Sequence, residues 1–255
     1  MSIDVESRNS GTGKIITISY DRQSKLNSLN TDGIKELTSV FKDISNDPAM
    51  RAVVITGAGS KAFIGGADIN ELNEMTTETS RNFISSLHEL FLLIRKLPVP
   101  TVAKVNGYSL GAGMELAAVC DLRIASDTAI FGMPEVRVGV PSVIEAALLP
   151  RLIGWGRTNY LVLTGANIDS KTAYEWGFLE QIFRPKELDS EVGKITDTIA
   201  ECGAIAVRAQ KELVSTWEKV PLEQGIQAGI DAFSEAFETD EPQRMMQSFL
   251  KRKSG

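Results

Sequence analysis

Apolar and polar positions alternate in two different rhythms along most of the chain, then settle into one. Lys14-Ile15-Ile16-Thr17-Ile18-Ser19 is rich in β-branched residues and predicts a strand. Ile34, Leu37, Val40, Phe41 and Ile44 recur at three- and four-residue steps, the spacing of one helix face. Asp47-Pro48 then breaks the chain. Ala52-Val53-Val54-Ile55-Thr56-Gly57 is a short unbroken apolar run, as in a strand buried on both faces. Phe83, Ile84, Leu87, Leu90, Phe91 and Ile94 mark a second amphipathic helix, ended by Leu97-Pro98-Val99-Pro100. Thr101–Val105, Leu122–Ala125 and Ala129–Phe131 read as further strands. Strands alternating with helices through about residue 180 imply an α/β core with mostly parallel pairing.

Beyond Arg184-Pro185 only the helical rhythm remains. Segments 187–202, 204–218, 222–237 and 240–252 read as helices, punctuated by Gly203, Pro221 and a Thr239-Asp240 cap. Phe233, Phe237, Met245, Met246, Phe249 and Leu250 give this quarter much apolar surface. It can pack on its own core or on another subunit, and the pattern leaves both open.

Composition narrows the function classes. An apolar fraction of 43% and a charged fraction of 24% belong to an ordinary soluble globular protein of one large domain, or a domain with an appendage. The net charge of −6 argues against a general nucleic-acid or anionic-membrane surface, while leaving room for a phosphorylated small ligand. No segment approaches transmembrane length, and Met1–Glu6 lacks the basic and apolar regions of a signal peptide. Lys253-Ser254-Gly255 is not a peroxisomal address. Cys120 and Cys202 form no framework and read as buried or half-buried thiols in a reducing, cytoplasmic compartment.

The richest stretch is Val105-Asn106-Gly107-Tyr108-Ser109-Leu110-Gly111-Ala112-Gly113-Met114-Glu115-Leu116. A strand that turns into a helix through small residues leaves backbone N–H groups free at the helix start. Such groups can hold negative charge developing on oxygen. Glu115 sits one turn inside that helix, which points to acid/base work on a carbonyl compound. A second small-residue turn, Lys61-Ala62-Phe63-Ile64-Gly65-Gly66-Ala67-Asp68-Ile69, offers the Ala67 N–H, with Asp68 as a helix cap. Two such donors converging on one oxygen make an oxyanion hole. Glu135 follows Pro134 as a second carboxylate, with Asp121, Asp127 and Glu145 as competitors that spacing alone does not eliminate. Glu145 reads as a helix-surface acid, with a third active-site acid as the other reading. Gly11-Thr12-Gly13-Lys14 lacks the rest of a phosphate loop and reads as a turn; Gly57-Ala58-Gly59-Ser60 fails the dinucleotide fingerprint. His88, the single histidine, lies on the second helix and reads as structural. That excludes a Ser-His-Asp triad and argues against a His-based zinc site, so no metal is expected.

The ordered series Arg22 with Leu26-Asn27-Ser28-Leu29-Asn30, then Ala62–Ile69, Asn106–Leu116, Cys120–Ala125 and Phe131-Gly132-Met133-Pro134-Glu135 resembles the crotonase superfamily of enoyl-CoA hydratases and isomerases. The match runs from about residue 12 to residue 252. The resemblance implies an α/β fold, a spiral of ββα turns over residues 1–195 that carries the active site. Residues 196–255 would form an all-helical oligomerisation region, giving trimers or dimers of trimers. It implies an acyl-CoA thioester partner, with coenzyme A entering as part of the substrate and no separate cofactor. By the resemblance, the amides of Ala67 and Ala112 bind the thioester oxygen, Glu115 activates water and Glu135 gives a proton to the α-carbon. Coenzyme A would run past Lys25-Leu26 and Ala62 to Ile69, with Gly65, Ala67, Asp68, Ile69, Gly111 and Ala112 around it. Arg22, Lys25 and Lys61 would supply charge for its phosphates, and a basic residue near Phe249 or Arg252 would reach a neighbouring subunit's ligand. The implied activity is hydration of a 2-enoyl-CoA to a 3-hydroxyacyl-CoA. The other readings are Δ3-Δ2-enoyl-CoA isomerisation, another crotonase-type reaction such as thioester hydrolysis, and a non-catalytic trimer that binds acyl-CoA. Two departures stand out. Arg22-Gln23 replaces the usual Arg-Pro. The run Gly139-Val140-Pro141-Ser142-Val143-Ile144-Glu145-Ala146-Ala147-Leu148-Leu149-Pro150 replaces a glycine-rich run and is a residue shorter, which points to an unusual acyl group.

Overall fold

The computed structural model describes residues 1–253, with side chains through Lys251; Ser254, Gly255 and the side chain of Arg252 lie outside the described residues. Two sheets carry the fold. The larger holds β1 (Ser2–Ser10), β2 (Gly13–Asp21), β3 (Met50–Gly57), β5 (Thr101–Val105), β7 (Leu122–Ser126) and β10 (Gln181–Phe183) in that spatial order. The smaller holds β4 (Ala62–Ile64), β6 (Tyr108–Leu110), β8 (Ile130–Gly132) and β9 (Asn167–Asp169). From β2 to β10 the larger sheet is parallel. In the smaller, β4, β6 and β8 run parallel and β9 closes the edge antiparallel.

Each turn of the chain lays one strand in the larger sheet and the next in the smaller, then adds helix. After β4 come α2 (Ile69–Asn73) and α3 (Thr77–Arg95), and after β6 comes α4 (Ala112–Val119). After β8 the chain makes two 3-10 turns, Glu135–Val138 and Ile144–Leu148, before α5 (Leu149–Ile153) and α6 (Trp155–Thr164). This is a spiral of ββα turns. α1 (Thr31–Ile44) links β2 to β3, and α7 (Ser170–Glu175) links β9 to β10.

Alternation along the strands sets the two faces of the larger sheet. Ile16, Ile18 and Tyr20 of β2, with Val53 and Ile55 of β3, face the main core under α1 and α3. Ile15, Ala52, Val54, Val102 and Ile124 face the opposite way, onto Leu188 and Val192 of α8 (Pro185–Glu201). Every residue of β3 is buried, as its unbroken apolar run predicts for a strand covered on both sides. Asn30 caps α1 by accepting from the Gly33 N–H at 3.0 Å, and a reciprocal Thr76–Thr79 box opens α3. β1 has no apolar face to betray it. It forms because its backbone pairs antiparallel with β2 through the turn at Gly11-Thr12, in register from Ser2↔Asp21 to Ser10↔Gly13.

The C-terminal part is helical: α8 runs unbroken through residue 195, followed by α9 (Ala204–Trp217), α10 (Leu222–Ala236) and α11 (Glu241–Lys253). α9 is tied to the core by Arg208 donating to the Met50 carbonyl at 3.0 Å and by Lys211 on the Val99 carbonyl and Asp121. The Glu241 carboxylate accepts from the Ile205 and Ala206 N–H groups at the start of α9. α10 differs: Leu222, Ile226, Ile230, Phe233 and Phe237 form one helical face, and all are exposed. Cys120 is buried, but Cys202 is exposed at the end of α8, which corrects the expectation that both thiols are covered.

Candidate active site

Three parallel strands of the smaller sheet end side by side, and each releases one piece of the site. β4 runs into Gly65-Gly66-Ala67, β6 into Gly111-Ala112, and β8 into Met133-Pro134-Glu135. Ala67 pairs with Leu29 in a parallel bridge whose bonds go to its neighbours: the Leu29 N–H donates to the Gly66 carbonyl and the Asp68 N–H to the Leu29 carbonyl. The amide of Ala67 itself therefore points away from Leu29. Ala112 opens α4, so its N–H has no carbonyl one turn behind it. Ala67, Ala112, Glu115 and Glu135 all lie on the wall of one cavity of about 730 Å³.

Gly111 makes the junction workable. Its φ is +51°, and any Cβ there would land on Glu135 Oε1. Its N–H donates to the Gly132 carbonyl at 2.9 Å, fixing the β6 exit against the β8 exit. Glu115 is 4% exposed, and its Oε1 accepts from the Ala146 N–H at 3.0 Å. Burial first, then the charges of Glu135 and Glu145, push its carboxyl up to about 8, against the opposing pull of the Ala146 N–H. Glu135 is half-buried at the head of its 3-10 turn, and its Oε2 accepts from Ser142 Oγ at 2.7 Å.

A folded-state value above the ordinary one gives a signed expectation. The native state binds the Glu115 proton more tightly than the unfolded chain. Stability therefore falls as pH rises from the ordinary glutamate range through about 8. Glu115→Gln should raise the melting temperature relative to the unsubstituted protein near pH 8–9, where the buried charge is removed. The gain should vanish near pH 4, where Glu115 is protonated in both states. Thermal unfolding across that range checks it; a gain independent of pH would contradict it.

The sequence left Asp121, Asp127 and Glu145 competing with Glu115 and Glu135. Asp121 binds the Thr101 N–H and hydroxyl and Lys211, and neither it nor Asp127 reaches the cavity wall. Glu145 does not sit on a helix surface. Its segment forms a 3-10 turn that rotates the side chain inward, where it is 6% exposed and meets His88 Nδ1 at 2.7 Å. The structural reading of His88 thus acquires a specific partner. The departure at 139–150 turns out to serve both glutamates: it provides Ser142 for Glu135 and the Ala146 N–H for Glu115. Neither was singled out from sequence, because a serine hydroxyl and a backbone amide carry no periodic signal.

A second cavity of about 340 Å³ is lined by Leu26, Asn27, Lys61 and Ala62, among others. The Gly65 N–H donates to the Leu26 carbonyl at 2.9 Å, tying the turn that carries Ala67 to the loop at Leu26. Leu26 and Asn27 hold left-handed backbone angles, and Asn27 Nδ2 braces the loop by donating to the carbonyls of Ala58 and Ala62. Gly65 and Ile69 line the larger cavity with Gly111 and Ala112. Arg22, expected near the coenzyme A phosphates, is engaged within the chain. Its guanidinium turns inward to Ser28 and to Asp68 Oδ2 at 2.6 Å. Burial pushes the Asp68 carboxyl up, but Arg22 and the Asn70 N–H outweigh it and hold it below the usual range. Both residues brace the turn that carries Ala67; Asp68 also caps α2. Lys25 and Lys61 are exposed, with no ion pair among the described residues.

With this geometry in view, the comparisons are specific. The sequence model of the family described as enoyl-CoA hydratase/isomerase matches residues 10–254. The short-chain-enoyl-CoA hydratase of Clostridium acetobutylicum is 35% identical over 242 residues, covering 94% of this chain and 93% of the relative. The crotonyl-CoA hydratase of Syntrophomonas wolfei is 34% identical, covering 94% and 93%. The crystal structure of an enoyl-CoA hydratase from Bacillus anthracis superimposes with a TM-score of 0.94 at 33% identity, covering 99% of this chain and 97% of the other.

Proposed function

The chain belongs to the enoyl-CoA hydratase/isomerase family, and we propose that it adds water to a short-chain 2-enoyl-CoA, giving the 3-hydroxyacyl-CoA. The observation that carries the reading is the meeting of two carboxylates and two small-residue turns on one cavity wall. In this reading the thioester oxygen accepts from the Ala67 and Ala112 amides. Water attacks the β-carbon, and the π electrons move through the α-carbon onto that oxygen as an enolate. Fixed dipoles favour this charge more than they favour the neutral carbonyl. Glu115 takes the proton from water, and Glu135 delivers one to the α-carbon as the carbonyl re-forms. The pair begins and ends the turnover with one proton. In this reading the ligand-free protein carries it on Glu115, whose neutral form burial and its acidic neighbours favour. For addition the proton must first pass to Glu135, and a water between the two carboxylates would carry it.

The acyl group would lie against Leu72, Met75, Phe83 and Ile84, which line the same cavity. Coenzyme A, arriving with the substrate and with no further cofactor, would pass Leu26 and Ala62, with Lys25 and Lys61 near its phosphates. The exposed apolar face of α10 supports self-association into trimers or dimers of trimers. The free thiols of Cys120 and Cys202 suit a reducing, cytoplasmic setting. The test is a panel of 2-enoyl- and 3-enoyl-CoA thioesters, run on material whose assembly mass is measured by light scattering. Expected are loss of the conjugated enoyl absorbance, products heavier by one water, and the highest kcat/KM for short acyl groups. Double-bond migration faster than hydration, or release of free coenzyme A, would displace this reading, and a monomer would remove the assembly.

A further inference from the structure

The chain buries a third acid where a neutral residue would be cheaper. Glu145 lies beside Glu115, and its Oε2 has no hydrogen-bond partner among the described residues. A glutamine could make the same contact to His88 Nδ1 without placing a charge next to another carboxylate. The backbone around it is also unusual. Ile144, a β-branched residue, holds a φ of +40°, in the left-handed region that such side chains avoid. The next residues are Glu145, held by His88, and Ala146, whose N–H meets Glu115. A strained turn persists only when its surroundings hold it.

We propose that Glu145 and His88 form a positioning pair for Glu115: anchored by His88, Glu145 holds the left-handed Ile144 turn in the arrangement that keeps the Ala146 N–H on Glu115 Oε1. His88 reaches across from α3, so the pair ties the 3-10 turn to a helix that also walls the cavity. The charges around the pair are few. Glu145 is faced by His88 and Arg95 of α3, and Arg95 is itself paired with Glu218, just past the end of α9. Glu115 of α4 is faced by Glu145 and by Glu135 from the loop after β8. Arg151 of α5 turns to the Glu218 carbonyl. The Glu145 charge favours the protonated form of Glu115, after burial and Glu135 and against the Ala146 N–H; burial pushes the Glu145 carboxyl up as well, against His88, and Arg81 and Arg137 line the same cavity.

The kinetic consequence rests on the hydration reading above. In Glu145→Gln and His88→Gln, kcat for a short 2-enoyl-CoA should fall ~10-fold or more through misplacement of Glu115, while KM changes little. The double variant should be no worse than the poorer single one, since both break one unit. In Glu145→Gln the limb of the pH profile governed by Glu115 should move to lower pH, because a negative neighbour has gone. Should Glu145→Gln fail to fold, His88→Gln, altered on a half-exposed side chain, carries the kinetic test. A readout free of turnover separates the two ideas: the melting temperature against pH of Glu145→Gln, with and without Glu115→Gln. If the Glu115-dependent part of the melting profile moves in Glu145→Gln but the unsubstituted protein hydrates nothing, the hydration reading fails and the pair stands. If hydration proceeds and neither kcat nor the limb moves, the pair is overturned.

Discussion

Replacing Glu135 with Gln should lower the hydration of a short 2-enoyl-CoA by ~10²–10⁴-fold, the range for losing a general acid. The amide is nearly isosteric with the carboxyl. It can still meet Ser142 Oγ, start the 3-10 turn and lie over Gly111, so fold and ligand affinity should survive. What it lacks is a proton to give the α-carbon. The loss should therefore appear in kcat, with the affinity for the 3-hydroxyacyl-CoA product, measured by calorimetry, almost unchanged. Such a split assigns Glu135 to the reaction and not to holding the substrate. Undiminished turnover would take it out of the mechanism and leave Glu115 to manage both protons.

This expectation depends on contacts that the chain's pattern partly concealed. The parallel core was legible because β3 and the helix faces of α1 and α3 advertise their burial by period. The turns at Gly65–Ala67 and Gly111–Gly113 were legible because small residues between a strand and a helix leave amides unpaired. β1 was not, since its pairing uses backbone groups that every residue carries. Glu145 reads from sequence as a helix-surface acid, whereas its segment makes a 3-10 turn that buries it, and no periodic signal marks such a turn. The charge of Arg22 is visible in sequence, but its ion pair with Asp68, 46 positions away, is not.

The stretch 139–150 carries contacts that its composition does not reveal. Read from sequence, its departure from a glycine-rich run bears on the acyl pocket and on where the water is held. In the fold it holds both carboxylates, by a serine hydroxyl at one end and a backbone amide at the other. The same stretch adds Val140 and Val143 to the cavity wall. The cavity wall and the contacts to both glutamates therefore share one segment, and a change that enlarges the cavity there should also disturb the glutamates.

Gly113→Ala should reduce kcat by ~10²-fold, the cost of weakening one oxyanion donor or of about 1 Å of misplacement. It should also cost about 1–3 kcal/mol of stability, as overpacking does. A Cβ at Gly113 would fall on the Ile64 carbonyl oxygen, so α4 can approach β4 only without a side chain there. Ile64 ends the strand that leads to Ala67, and Gly113 follows Ala112 in the first turn of α4. The methyl group would push apart the two elements that bear the two amides, while leaving both glutamates in place chemically. Gly193→Ala is the matching control. It lies inside α8 with open space where its Cβ would stand, and it should gain ~0.5–1 kcal/mol with kcat unchanged. Chemical denaturation and initial rates on both variants separate the effects. If Gly113→Ala loses stability yet keeps full kcat, the helix–strand distance does not set the donor pair, and the thioester oxygen must be held elsewhere.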